Sequence, residues 1–322
     1  MELIKDISIR NFKSLENVQI SGCKRYNLFV GRPNVGKSNI LEALSLFSIP
    51  YIAPSNITLS ELFRIDRHLS TLFYNGDMSK DMSIEAGSDK CVVHYENAST
   101  IGISLSSAGN SQTLRLVDLK LEKPAAEYPV FKPYVYGKHT NGHSVNMPFL
   151  CPIGGDNLMQ VLKGNDELRN DIVRQLSSYN LKLVLDTATQ EIKIMKPLDD
   201  STSFIIPFSA MADSLKRLLF YKAAVMSNHD SVLMLEEPEA HSYPPYIVKV
   251  IQTMLSADDN QYFITTHSPY VINEFLENNA DVAVFIVDYK DGKTAVRGLT
   301  DDEITQVYEA GIDLFFNTEF FD

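Results

Sequence analysis

The sequence predicts an α/β fold in which the two ends of the chain build one parallel sheet flanked by helices, with a mixed α+β region inserted between them. Three observations carry this prediction. Near the start, an apolar run from Tyr26 to Val30 passes through Gly31-x4-Gly36-Lys37-Ser38 into a helix-like run, Ile40 to Phe47. From Ser203 onward, continuous apolar runs alternate with segments of helical period, as parallel strands buried on both faces do. Between about Pro50 and Pro197 that alternation is lost.

Length and composition bound the rest. A chain of 322 residues is one large or two ordinary domains, long enough for a sizeable core. Its 22% charged and 44% hydrophobic residues are those of a soluble globular protein. Cys23, Cys91 and Cys151 lie far apart, which excludes a C-x-x-C zinc site and a disulfide framework and fits a reducing, cytoplasmic setting. No apolar run approaches the roughly 18 residues needed to span a bilayer, and no leader pattern precedes the first strand, so no membrane partner is expected. A net charge of -12 confines any nucleic-acid contact to a local patch working against the mean field.

In chain order, Ile7-Ser8-Ile9 and Val18-Gln19-Ile20 alternate apolar with polar as half-buried strands, with Arg10 to Ser14 between them. The glycine-rich loop comes next. Glycines let the backbone turn its N–H groups around phosphates, while the helix N-terminus behind them presents unpaired donors and partial positive charge. Candidate nucleotide-binding positions are Gly31, Asn34, Val35, Gly36, Lys37, Ser38 and Asn39. Lys37 would reach the β- and γ-phosphates, and the Ser38 hydroxyl would ligate Mg²⁺. A chance match to this pattern is the alternative, and the strand–loop–helix context disfavours it.

In the middle region, Thr58 to Phe73 has helical spacing and Asn75-Gly76-Asp77 reads as a turn. Antiparallel strands are expected at Cys91 to Tyr95, Ile101 to Leu105 and Leu114 to Leu121. A helix follows over Asn157 to Leu176, then a hairpin from Leu181 to Asp186 and Glu191 to Lys196. No heptad pattern is sustained. His139 and His143 have a metal-binding spacing if helical, but Asn141-Gly142 and the nearby prolines favour a loop, with no third ligand in sight. Pro152 to Asn157 could line a nucleotide site, as a glutamine loop does; a helix lead-in capped by Asp156 or Asn157 is the favoured reading.

After Ser203, strands are expected at Phe204 to Pro207, Ser231 to Leu235, Gln261 to Thr265 and Val282 to Val287. Helices are expected at Met211 to Met226, Tyr246 to Leu255 and Tyr270 to Leu276. A parallel sheet places its ligand crevice at the strand carboxyl ends, so the strand before the phosphate loop must join this one. At one such end stand Glu236-Glu237-Pro238-Glu239, either a catalytic carboxylate cluster or a solvated turn. At another stands His267, followed by Ser268-Pro269, which by themselves would serve as N-cap and first helical residue. Ser214 sits at the start of the helix before the first of these ends.

SIRNFKSLENVQI followed by LFVGRPNVGKSNILEALSLF, and then EEPEAH and TTHSP in that order, resemble the ATPase heads of the OLD (overcoming-lysogenization-defect), RecF and SMC group. The resemblance implies an ABC-type P-loop NTPase head with ATP and Mg²⁺ as cofactors. It implies a core from residues 1–50 and 201–322 and an inserted lid over 51–200. Glu236 would bind the metal, Glu237 would act on the attacking water, and His267 would contact the γ-phosphate. Ser214 would bind the γ-phosphate of the opposite subunit, within a homodimer or higher even-numbered assembly. Glu236 stands where most such ATPases have Asp, Ala212-Asp213-Ser214 replaces the usual Ser-Gly-Gly signature, and Ser242-Tyr243-Pro244 departs from Leu-His-Pro. Neither the SMC coiled-coil arm nor room for the Toprim nuclease of OLD proteins is present, so a separate effector polypeptide, a nuclease or toxin, is implied. The expected role is a switch in bacterial anti-phage defence. A RecF-like DNA-maintenance ATPase and a non-hydrolysing ATP-dependent scaffold are the rival readings.

Overall fold

The structure is a computed structural model that describes residues 1–55, 58–65, 68–107, 109–137, 147–278, 280–311 and 314–315. The His139 and His143 pair lies outside the described residues.

Alternation of apolar and polar residues folds β1 (Asp6–Phe12) and β2 (Leu15–Ser21) into an antiparallel pair, with Ile7 opposite Ile20 and Ile9 opposite Val18 on the buried face. β3 (Tyr26–Val30) is buried at every residue and leads through the glycine-rich loop into α1 (Lys37–Ser45). Two short helices follow, α2 (Ile52–Ser55) and α3 (Leu59–Phe63). The helix expected over Thr58 to Phe73 ends at Phe63, because Arg64 turns into the left-handed region (φ 47°); a 3₁₀ turn at Leu69–Leu72 supplies the rest of the helical spacing.

Next come β4 (Met82–Ala86), β5 (Asp89–Asn97), β6 (Thr100–Ser107), β7 (Asn110–Val117) and β8 (Lys120–Leu121), all antiparallel. The strand expected from Leu114 to Leu121 is broken at Asp118 and Leu119, both at positive φ, where the chain doubles back. β4 pairs with β1, Ile84 opposite Ile9, so one seven-stranded sheet runs β2-β1-β4-β5-β6-β7-β8.

β9 (Phe131–Tyr134) lies outside that sheet and pairs in parallel with the later strand Val232–Glu236, a placement its four residues do not announce. The expected helix at 157–176 is two, α4 (Leu158–Gly164) and α5 (Asp166–Ser177), because Asn165 breaks the first and caps the second by accepting from the Leu168 N–H. β10 (Lys182–Asp186) and β11 (Glu191–Pro197) form the expected hairpin. β12 (Ser203–Pro207) pairs with β11 in a small three-stranded sheet and stays out of the parallel one; Phe204 and Ile205 are exposed, as an edge strand allows.

The remaining chain alternates as expected: α6 (Asp213–Met226), β13 (Val232–Glu236), α7 (Pro244–Ser256), β14 (Gln261–Thr265), α8 (Pro269–Glu277), β15 (Val282–Lys290), β16 (Lys293–Gly298) and α9 (Asp301–Ala310). The second sheet has the order β16-β15-β3-β14-β13-β9 and is parallel except for β16. Phe29, Met234, Phe263 and Phe285 on one face pack with α1 and the antiparallel sheet. Leu28, Leu233, Leu235 and Ile264 on the other pack with α6, α7 and α8. Glu236 pairs with Thr265 and Thr265 with Phe29, so β13, β14 and β3 end side by side.

Candidate functional site

The glycine-rich loop needs its glycines for contact as well as for φ. At Gly31 a Cβ would come within 2.1 Å of the Val287 carbonyl oxygen, and at Gly36 (φ 103°) within 2.1 Å of Thr294 Oγ1. That second approach is part of a brace. Thr294 Oγ1 donates to the Val35 carbonyl (2.8 Å) and lies 2.7 Å from Ser14 Oγ, to which Asn39 Nδ2 donates (2.7 Å). β16 and the β1–β2 turn therefore hold the loop's shape. Asn39, a nucleotide-binding candidate, lines the cleft but spends an amide donor on this brace.

Lys37 is almost fully buried, and its Nζ donates to the carbonyls of Gly31 (2.9 Å) and Arg32 (2.8 Å). An ammonium has three donors, so one is left for an anion at the helix N-terminus. Burial lowers its pKa, while the carboxylates of Glu237 and Glu239 act in the opposite direction. The cleft in front of it, ≈ 430 Å³, is lined by Asn34, Gly36, Lys37, Ser38 and Asn39 on one side and by Arg64, Glu236, Glu237 and His267 on the other. Gly31 and Val35 shape the loop from behind.

Glu236 is the last residue of β13, and Glu237 follows in the left-handed region (φ 41°), its N–H donating to the Thr265 carbonyl (3.0 Å). A non-glycine residue held there costs on the order of 1–2 kcal/mol, a cost that backbone strain at functional positions often reflects. His267 Nε2 lies 3.3 Å from Glu237 Oε1. Burial lowers the imidazole pKa, Lys37 lowers it further, and Glu237 opposes both, so the ring is neutral at pH 7. Ser38 and Glu236 put two hard oxygen donors on the same cleft. Mg²⁺ is usually held by one or two protein oxygens plus phosphate and water, so this pair fits the ion although no cluster of three acidic, His or Cys ligands occurs among the described residues.

Arg64 is the residue that sequence reasoning missed. Its Nη1 lies 2.9 Å from Glu236 Oε1, and its Nε donates to Glu42 Oε1 (2.6 Å). Lys13 Nζ donates to the other Glu42 oxygen and to the Phe63 carbonyl. A basic residue after an apolar run carries no local mark of this role; its partners are set by the fold.

Ser214 does not line this cleft. It stands at the start of α6, its Oγ donating to the His241 carbonyl (3.2 Å). Asp213, which would be awkward beside a phosphate, has its charge taken up locally: Arg217 Nε is 2.9 Å away, Lys216 Nζ 3.5 Å, and Tyr136 donates to it at 3.0 Å. The Arg217 hydrogen bond holds its carboxyl below the usual range. Pro152 to Asn157 leads into α4 as expected, with Asn157 at its N-cap position, but the Asn157 side chain does not cap it: its Oδ1 accepts from the Cys151 N–H (2.6 Å) and its Nδ2 donates to the Phe149 carbonyl (2.8 Å). The segment does not line the cleft either.

Comparison with known proteins agrees with this geometry at the level of fold. Residues 1–151 match the family described as AAA ATPase domain, and residues 152–273 match one described as "AAA domain, putative AbiEii toxin, Type IV TA system". An ATP/GTP phosphatase of Helicobacter pylori is 22% identical over 329 residues, spanning 85% of this chain and 87% of that protein. An SMC head bound to the C-winged helix domain of ScpA superposes with a TM-score of 0.55 at 15% identity, over 95% of this chain and 100% of that one. The Pyrococcus furiosus SMC head with an extended coiled coil, bound to the C-terminal domain of ScpA, gives 0.54 at 13% identity, over 96% and 99%. At such identities the likeness is one of fold. No helix among the described residues is long and apolar enough to cross a membrane.

Proposed function

We propose that this AAA-type ATPase, built on the fold of an SMC head, hydrolyses Mg-ATP in the Lys37 cleft and uses ATP to join two copies head to tail, switching a separate effector in anti-phage defence. The carrying observation is convergence: Lys37 after β3, Glu236 and Glu237 after β13 and His267 after β14 meet in one cleft at adjacent strand ends.

In this reading the remaining Lys37 donor and the N-terminus of α1 bind the β- and γ-phosphates. Ser38 and Glu236 hold Mg²⁺, which when bound offsets the negative charge on the phosphate oxygens. Arg64 adds a second cation on the far wall, paired with Glu236. Glu237 accepts the proton of the attacking water, and neutral His267, beside it, positions that water or the γ-phosphate. Ser214 closes the partner's cleft, a task that its place outside its own cleft permits. The toxin–antitoxin description of the family matching 152–273 supports a defence role, and a net charge of -12 weighs against DNA maintenance.

Sedimentation of Glu237→Gln protein tests the switch. Mg-ATP is expected to shift it toward dimer or a higher even-numbered assembly, ADP is not, and adding Ser214→Arg is expected to prevent the shift, since nucleotide bound at an interface stabilises association by linkage. An assembly state indifferent to nucleotide or to Ser214→Arg would overturn the head-to-tail arrangement.

A further inference from the structure

We propose that Glu239 is a positioning residue that fixes the histidine loop against Glu237, so that His267 meets the terminal phosphate only while the Glu239 carboxylate grips the backbone beside it. The inference rests on the role given to His267 above.

Glu239 has no part in the hydrolytic step as described, yet it organises the segment that carries His267. Its Oε1 accepts from Thr266 Oγ1 (2.7 Å) and from the His267 backbone N–H (2.7 Å), and Thr266 Oγ1 in turn accepts from the Ser268 N–H (3.0 Å). Three consecutive residues are thus arranged around one carboxylate oxygen supplied by another strand end. The other oxygen, Oε2, is buried and has no hydrogen-bond partner among the described residues. Leaving it so costs free energy, which places the carboxylate's orientation under the control of the histidine loop and not of solvent. A second tie, from the Thr266 N–H to the Phe29 carbonyl (3.2 Å), anchors only the start of the loop. Ser268 occupies the N-cap of α8 without a side-chain capping bond, so the anion of Glu239 also stands in at the positive end of that helix. The ring it steadies faces Glu237 at 3.3 Å, Lys37 across the cleft and the Phe315 ring. Burial holds the Glu239 carboxyl above its usual range and the two donated bonds oppose this, so the grip itself favours the anion.

The test is a double-mutant cycle on the full chain with Glu239→Ala, Glu239→Gln, His267→Ala and Glu239→Ala/His267→Ala, read as kcat and as the ratio of ADP to ATP dissociation constants. Glu239→Ala is expected to lower kcat at least about tenfold and to erase the preference for ATP over ADP, as losing its two charge-assisted bonds predicts. Glu239→Gln should recover most of both, because its amide oxygen can accept the same two bonds. The double variant should match His267→Ala alone, since a residue acting only through His267 has nothing left to position. A further loss in the double variant, a Gln variant as damaged as Ala, or a Glu239→Ala protein that turns over and discriminates normally would each overturn the inference. A His267→Ala protein with wild-type turnover and discrimination would remove His267 from the reading beneath it and this inference with it.

Discussion

Glu42 lies one turn beyond Ser38 on α1, and its replacement by Ala tests the electrostatic support behind the cleft. Its side chain is 7% exposed and receives Lys13, 14% exposed, and Arg64, 47% exposed. Burial lowers the Lys13 pKa, and the Glu42 charge is the first influence opposing that. Glu42→Ala leaves Lys13 buried without its carboxylate partner, beside the Phe63 carbonyl and the Phe12 ring. Removing one partner of a buried ion pair costs about 3–5 kcal/mol. The Arg64 share is screened by solvent and is counted at a surface value below about 1 kcal/mol. With the Phe63 bond retained, the expected loss is about 2–3 kcal/mol. For a chain of this size that is a fall in Tm of about 3–4.5 °C. Adding Lys13→Met removes the stranded charge and should return at least half of the loss. The variant should also need more Mg²⁺ for hydrolysis, because Arg64, released from Glu42, is free to pair wholly with Glu236. Thermal melts followed by circular dichroism and a Mg²⁺ titration of turnover measure the two effects. A Tm within about 1 °C of wild type, or a Lys13→Met addition that lowers it further, would refute the assignment of a compensated buried pair.

Lys37→Ala should abolish ATP binding measured by calorimetry, since the loop loses the cation facing the phosphates; surviving wild-type turnover would take the loop out of the mechanism. Glu237→Gln should bind ATP and lose turnover by about 10²–10⁴-fold, whereas Glu236→Gln should chiefly weaken Mg²⁺ dependence and ATP affinity; the reverse pattern would exchange the two roles. The His267 imidazole is held below its ordinary value of 6.5, so in the folded protein it stays neutral above that pH and binds fewer protons than the unfolded chain just below it. Turnover and stability should therefore be level from about pH 8 down to about 6.5 and fall below that as the ring charges and locks onto Glu237; an acid limb centred above about 6.5 would contradict this.

The phosphate loop, the carboxylates after β13 and the histidine after β14 are legible in the sequence because each is a local run: an apolar strand, then a chemical group at a fixed offset, then a helix start. The hairpin of β10 and β11 and the helices α6, α7 and α8 are legible for the same reason, since hydrophobic period is a property of neighbours in the chain. What β4 to β8 pair with is not local. Their alternation shows antiparallel strands, but only the register of Ile84 against Ile9 places them in one sheet with β1. β9 and β12 are both short strands, four and five residues long; one joins the parallel sheet and the other does not, and the difference lies in which edge each can reach. Arg64 becomes part of the cleft because α3 stops at Phe63 and the chain turns it toward Glu42 and Glu236, residues that the helix α1 and the strand β13 bring there independently. Ser14 and Thr294 come to brace Gly36 in the same way, from the β1–β2 turn and from β16. Spacing along the chain determined which groups can do chemistry, because that depends on bonds a few residues long; which charges face them was decided by packing, because Coulomb and hydrogen-bond partners are chosen by distance in space.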